Sequence, residues 1–394
     1  MLRNSGALLF SALLASMLLG CGKSETTSTN TSGDALVVKI GAAAPLTGAQ
    51  AHIGKDNENG TRMAIEDANA RGIMIGGRKA HFELLSEDDQ TDPKAATIVA
   101  QKLVDARVNG VIGHLNSGTT IPAARIYNDN GIAQISPSAT AVAYTAQGYK
   151  TAFRVMANDA QQGRVLGEFA AKNLQARNIA VIDDRTAYGQ GIADEFIKAA
   201  EASGAQIVAH EYTSDKAMDF TAVLTSIKGK KPDLLFYAGM DPQGVPLVKQ
   251  LKSLGLNAKF MMGDGGYTPK MIELAGAAAE GMYASLPGVP LDQMPGGREF
   301  AKRYEAQFKQ PIQLYAPYCY DAVNVMISAM QKAGSVESAK YLQELAKISH
   351  DGVTAKIMFD EKGDLKGGAI TLYQVKQGKW SVIETVGGAP AAKH

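Results

Sequence analysis

The chain has 394 residues, of which 45% are hydrophobic, with 40 basic against 39 acidic side chains. That near-neutral balance, without a run of Lys and Arg interleaved with aromatics, argues against a nucleic-acid partner. It has two cysteines, Cys21 and Cys319. If Cys21 has another use, the fold cannot rest on an internal disulfide and its core must suffice.

Arg3 precedes an apolar run over residues 7–19, too short to span a bilayer, so residues 1–20 read as an export signal. The run ends in Leu18-Leu19-Gly20-Cys21, the arrangement that bacterial lipoprotein processing requires, which makes Cys21 the lipidated residue. Residues 22–34 carry no apolar side chain and cannot offset the entropy of ordering, so 21–35 is a flexible tether. The remainder, about 360 residues, is enough for about two domains.

From residue 36 onward, short β-rich runs alternate with helical patterns, the mark of βαβ units and a parallel sheet covered on both faces; the class is α/β. A strand over 36–40 is followed by a helix over 59–70 that Gly72 stops. Asp92 is an N-cap with Pro93 at the first helical position, and Ala96, Val99, Ala100, Leu103 and Val104 share one face. A strand over 111–115, a helix over 123–128 and a strand over 133–136 close the first series. The second series has helices over 160–174, 191–202, 219–227 and 246–254, with strands over 178–183, 206–211, 233–238, 259–262 and 281–285. One long helix over 300–333 follows, then strands over 369–375 and 380–386. Two similar parallel-sheet lobes are the economical reading, with more than one crossing between them.

In open parallel sheets ligands sit beyond the carboxyl ends of strands. There, Asn116-Ser117-Gly118-Thr119-Thr120 and Ser136-Pro137-Ser138-Ala139-Thr140 offer hydroxyls and free N–H groups, suited to a carboxylate. Either loop alone is also ordinary helix capping. Asp264, in Met262-Gly263-Asp264-Gly265-Gly266, is a candidate partner for an ammonium; the plainer reading is a turn aspartate. No G-x-S-x-G, H-E-x-x-H or C-x-x-C is present, and the six histidines are scattered singly. No catalytic, metal-ligating or cofactor-binding set is therefore assigned, and His114 reads as a structural histidine.

Ile112-Gly113-His114-Leu115, Ser136-Pro137-Ser138-Ala139-Thr140-Ala141, Asp184-Arg185-Thr186-Ala187-Tyr188-Gly189-Gln190-Gly191 and residues 360–367 together resemble the periplasmic leucine/isoleucine/valine-binding proteins of ATP-driven (ABC) transporters. The likeness runs in one order over residues 36–386. It implies a type I periplasmic-binding fold, with two Rossmann-like lobes joined by three hinge crossovers. The implied lobes are 36–158 with 288–366 and 159–287 with 367–388, leaving a tail at 389–394. It implies that Ser117 and Thr140 hold the ligand's carboxylate or ammonium, with Asn116 beside them and backbone groups at Ser138 and Ala139. Tyr188 closes from the second lobe, Asp264 pairs the ammonium, and Ile53 and Met240, with Tyr315, bury the side chain.

Three departures stand out. The family's acid at Asp264 is commonly glutamate, one methylene longer. Its pocket aromatics are here Ile53 and Met240, and its paired cysteines are here Thr91 and Asn116. The expectation is a non-catalytic solute-binding protein, monomeric and exported to the periplasm. It would capture leucine, isoleucine or valine for an inner-membrane permease and be held to lipid through Cys21. Alternatives are a binder of another small amino acid, amide or organic acid, or a sensor that contacts a membrane receptor.

Overall fold

The structure, a computed structural model, describes residues 35–388. The export signal, Cys21, residues 22–34 of the tether and the tail lie outside the described residues.

Strand β1 (Leu36–Ala44) leads into α1 (Ala51–Arg71), the short β2 (Met74–Ile75) and β3 (Arg78–Asp88). Then come α2 (Pro93–Asp105), β4 (Gly110–Gly113), α3 (Ser117–Asp129), β5 (Gln134–Ser136), α4 (Ala143–Ala146) and β6 (Ala152–Arg154). These strands form a six-stranded sheet of order β2-β3-β1-β4-β5-β6, parallel except at β2–β3. The chain leaves it through α5 (Asp159–Lys172), β7 (Asn178–Asp183), α6 (Ala187–Ala202), β8 (Gln206–Tyr212), α7 (Thr221–Lys228) and β9 (Leu234–Ala238). α8 (Asp241–Ser253), β10 (Lys259–Met262), α9 (Pro269–Ala275) and β11 (Tyr283–Pro287) follow. It returns as α10 (Gly297–Phe308), α11 (Ala316–Ala333), α12 (Ser338–Ala346) and the hairpin β12 (His350–Asp351) and β13 (Lys356–Ile357); α10 and α11 pack on α1. A third crossing delivers β14 (Ala369–Lys376) and β15 (Lys379–Gly387), which complete a sheet of order β15-β14-β11-β10-β9-β7-β8. The result is two Rossmann-like lobes joined by three crossings.

Local chemistry accounts for many of the boundaries. Asp92 accepts hydrogen bonds from the N–H groups of Lys94 and Ala95, both at 2.8 Å, and so satisfies two donors of the first turn of α2. Gly72, at φ 62°, ends α1 in the left-handed conformation that glycine adopts without penalty. Two helix readings need correction, and one strand went unread. The helix expected from residue 59 begins at Ala51, because its buried face is made of polar and small residues such as Asp56, Asn57, Gly60 and Thr61 rather than an apolar stripe. The single helix expected over 300–333 is two: α10 stops where Lys309 turns left-handed at φ 55°, and Pro311 follows with no N–H to continue the ladder. β3 was not expected, since charged and apolar residues along it do not alternate cleanly.

Gly60 shows how tightly α1 packs on α11. A methyl group there would lie 2.2 Å from the carbonyl oxygen of Ala316, a backbone atom that cannot swing away. Exchanging glycine for alanine inside a helix usually gains up to about 1 kcal/mol, but overpacking costs about 1–3 kcal/mol. The clash should win. Gly60→Ala is expected to lower the urea midpoint without changing the slope, and a raised midpoint would contradict this packing.

Candidate ligand-binding cleft

Each sheet has one place where the strand order reverses. In the first sheet β1 lies between β3 and β4, and in the second β7 lies between β8 and β9. The crevices at these reversals open beyond the carboxyl ends of the strands, which is where α/β sheets bind ligands. Asn116 and Ser117 follow β4, while Tyr188 lies in the first turn of α6 after β7 and Met240 caps α8 after β9. Asp264 follows β10, one strand further on.

On the first lobe, Arg154 shapes the site. It is fully buried, and its guanidinium donates to the carbonyls of Ala139 (2.7 Å) and Ala141 (3.0 Å), on either side of Thr140. Asp364 neutralises it at 2.6 Å. With its neighbours held this way, the Thr140 hydroxyl is buried beside Asp159, with no hydrogen bond of good geometry. Ser117 Oγ accepts from the Ala141 N–H at 3.1 Å, which leaves its proton free to donate. Ser138 turns its hydroxyl to the Leu115 carbonyl at 2.9 Å, so only its backbone is left to face a ligand. Asn116 donates its side-chain amide to Gln50 Oε1 at 2.8 Å, and its side-chain Oδ1 is buried without a partner. The first N–H groups of α3 have no intrahelical acceptor, which favours an anion at this end. His114 is fully buried, its ring nitrogens 2.8 Å from Asp89 Oδ2 and 3.0 Å from the Tyr127 hydroxyl.

On the second lobe, Asp264 is buried and accepts three side-chain hydrogen bonds. Gln162 Nε2 (2.9 Å) and the Tyr188 hydroxyl (2.8 Å) reach Oδ1, and the Tyr315 hydroxyl (2.6 Å) reaches Oδ2. Ser285 in turn donates to Gln162 at 2.9 Å and fixes which way its amide points. Burial raises the Asp264 pKa, and the two tyrosines pull it part of the way back. Gly263 leaves room for this: a Cβ there would stand 2.6 Å from the Tyr188 hydroxyl. Tyr315 belongs to the first lobe. Asp56, buried in α1, takes the N–H groups of residues 313–316 and so fixes the backbone at Tyr315. Tyr315, expected as an apolar wall, instead presents its hydroxyl to Asp264.

Sequence reasoning passed over Asp159. It opens α5, is fully buried, and neither carboxylate oxygen has a hydrogen-bond partner of good geometry. Its pKa is pushed up to about 8, mainly by burial and then by the Asp264 charge, while Thr140, Arg154 and Gln162 pull the other way. A Cβ on Gly191 would lie 3.4 Å from Asp159 Oδ2 and 3.8 Å from Ala141 Cβ, so the two lobes meet here. Ile53 is fully buried, and it shares one apolar cluster with Leu115, Tyr188, Met240 and Tyr315. The one signal for Asp159 in the sequence was an acid in the first turn of a helix, which ordinarily means nothing more than a favourable dipole.

A profile described as periplasmic binding protein matches residues 37–379. The chain belongs to the periplasmic binding protein family. Pseudomonas aeruginosa has a leucine-, isoleucine-, valine-, threonine- and alanine-binding protein that is 36% identical over 86% of this chain and 89% of its own. A Leu/Ile/Val-binding protein homolog of Brucella suis is 34% identical over 86% and 91%. Among solved structures, a leucine-binding protein of Thermotoga maritima superposes with TM-score 0.82 at 26% identity, covering 89% of this chain and 98% of that one. A branched-chain amino acid transporter substrate-binding protein of Streptococcus pneumoniae, bound to isoleucine, gives 0.81 at 26% identity over 89% and 99%.

For a periplasmic binding protein, the cleft has a clear polarity. Hydroxyls and a helix N-terminus lie on the first lobe, two carboxylates on the second, and aliphatic side chains beside them. Among the described residues no helix is long and apolar enough to cross a membrane.

Proposed function

We propose that this periplasmic binding protein captures a branched-chain amino acid between its lobes and delivers it to the permease of an ABC transporter. The observation that carries the reading is the pair of buried carboxylates, Asp159 in no ion pair among the described residues and Asp264 held by two tyrosines, next to the buried Thr140 hydroxyl. A buried carboxylate is costly unless a cation joins it, and the α-ammonium of an amino acid supplies one. The ligand carboxylate takes the Ser117 and Thr140 hydroxyls and the N–H groups opening α3, beside Asn116 and the backbone of Ser138 and Ala139. Tyr188 closes over it, and Ile53 and Met240 bury the side chain, at about 0.8 kcal/mol per CH₂. The names of the Pseudomonas and Streptococcus proteins support this ligand class.

The moving bodies in this reading are 36–158 with 288–366 and 159–287 with 367–388, closing by hinge bending. The protein works as an exported monomer without catalysis, its tether anchored through a lipid on Cys21. The deciding experiment is calorimetric titration of the ligand-stripped full-length protein with the twenty amino acids and with 4-methylpentanoate, which is leucine without its amine. Leucine, isoleucine or valine should bind with Kd of about 1 μM or tighter, and 4-methylpentanoate far more weakly. A preference for the amine-free acid would replace this function with organic-acid capture.

A further inference from the structure

The two side chains next in sequence to the pocket's aliphatic residues also meet each other. His52 precedes Ile53 in α1 of the first lobe, and Asp241 follows Met240 at the start of α8 in the second. His52 Nε2 lies 2.8 Å from Asp241 Oδ2, in a contact that joins the lobes. The His52 side chain is 20% exposed and that of Asp241 2%, so the pair sits at the lip with the carboxylate turned inward. The Thr268 hydroxyl donates to the same oxygen at 2.7 Å and fixes the carboxylate from its own lobe. Asp241 Oδ1 is buried with no partner. The N-terminus of α8 stabilises the charge, and among the described residues only His52 reaches it from the other lobe.

We propose that His52 and Asp241 form a clasp across the lip of the cleft that exists only when the lobes are closed, with His52 as a positioning residue for ligand retention. This rests on the amino-acid reading above. A hydrogen bond made only in the closed state stabilises that state alone, so it slows escape of the ligand and leaves its capture almost untouched. Because Ile53 and Met240 are the adjacent residues on each side, the clasp also holds the two halves of the side-chain pocket together.

The test compares wild type, His52→Ala and His52→Gln, the last carrying a side-chain N–H of similar reach. Leucine should dissociate about tenfold faster from His52→Ala, the worth of one hydrogen bond to a charged group, and at close to the wild-type rate from His52→Gln. In the leucine-saturated, closed protein, amide exchange over residues 239–244 of the second lobe should quicken in His52→Ala and recover in His52→Gln. Unchanged exchange there, or a fall in thermal midpoint with unchanged leucine dissociation, would overturn the clasp and leave His52 a structural residue of α1. If wild type binds no amino acid at all, the amino-acid reading fails, and the same exchange comparison with 4-methylpentanoate closing the lobes decides whether the clasp exists.

Discussion

Asp264→Ala is expected to weaken leucine binding at least a hundredfold, while leaving binding of 4-methylpentanoate unchanged or improved. Removing one partner of a buried, hydrogen-bonded charge pair costs about 2–5 kcal/mol, much of it from the groups left behind. Here those groups are the ligand ammonium, the Tyr188 and Tyr315 hydroxyls and the Gln162 amide, all of which lose their common acceptor. Asp264→Asn keeps the shape and one acceptor oxygen but offers no charge, so it should fall between alanine and wild type. The amine-free acid separates the two possible causes. If both ligands lose affinity equally, the site has collapsed, and if leucine binds Asp264→Ala as tightly as wild type, the acid has no part in holding the amine.

Leucine binding near neutral pH should release about one proton to solvent, and Asp159 should be its source. With a pKa of about 8 against an ordinary 3.8, this carboxyl is largely protonated in the ligand-free protein at pH 7. An ammonium placed beside it favours the ionised form, so the proton leaves as the ligand arrives. Affinity should then rise close to tenfold per pH unit up to about pH 8 and level off above it. The sign for stability is opposite. A carboxyl whose folded pKa is raised contributes stability that is fully present below its unfolded pKa and is lost as pH rises through the folded value. The ligand-free protein should therefore lose stability between about pH 4 and pH 8 through this group, and Asp159→Asn should lack that part of the decline. Calorimetry in buffers of different ionisation enthalpy measures the proton directly. No buffer dependence in wild type at pH 7 would remove Asp159 from the amine site.

The parts of the fold visible in the sequence were those built from uniform local patterns. The strands of the second lobe, such as β9 with its buried Leu-Leu-Phe-Tyr-Ala, read plainly. So did α2, with its aspartate cap and proline. What was hidden depended on contacts distant along the chain. The start of α1 buries Asp56 and Asn57, polar residues whose burial makes sense only once the segment at 313–316 arrives to hydrogen-bond Asp56. The site divides in the same way. Ser117, Thr140 and Asp264 lie in strand-end loops with recognisable composition, and the resemblance named them. Asp159 looks like any first-turn acid until α6 folds over it, and the Tyr315 hydroxyl is drawn to Asp264 from 51 residues away.

The first and third crossings are bonded to each other. Arg154, at the end of β6, binds Asp364 through both Nε (2.9 Å) and Nη2 (2.6 Å), its backbone N–H donates to the Gly363 carbonyl at 2.9 Å, and Asn158 donates to Asp364 Oδ2 at 3.0 Å. Two ribbons laminated in this way flex as one leaf spring and resist sliding past each other. In the proposed hinge closure, this joint opposes sliding of one lobe past the other and leaves rotation as the softer motion, so the same side chains face each other on each closure.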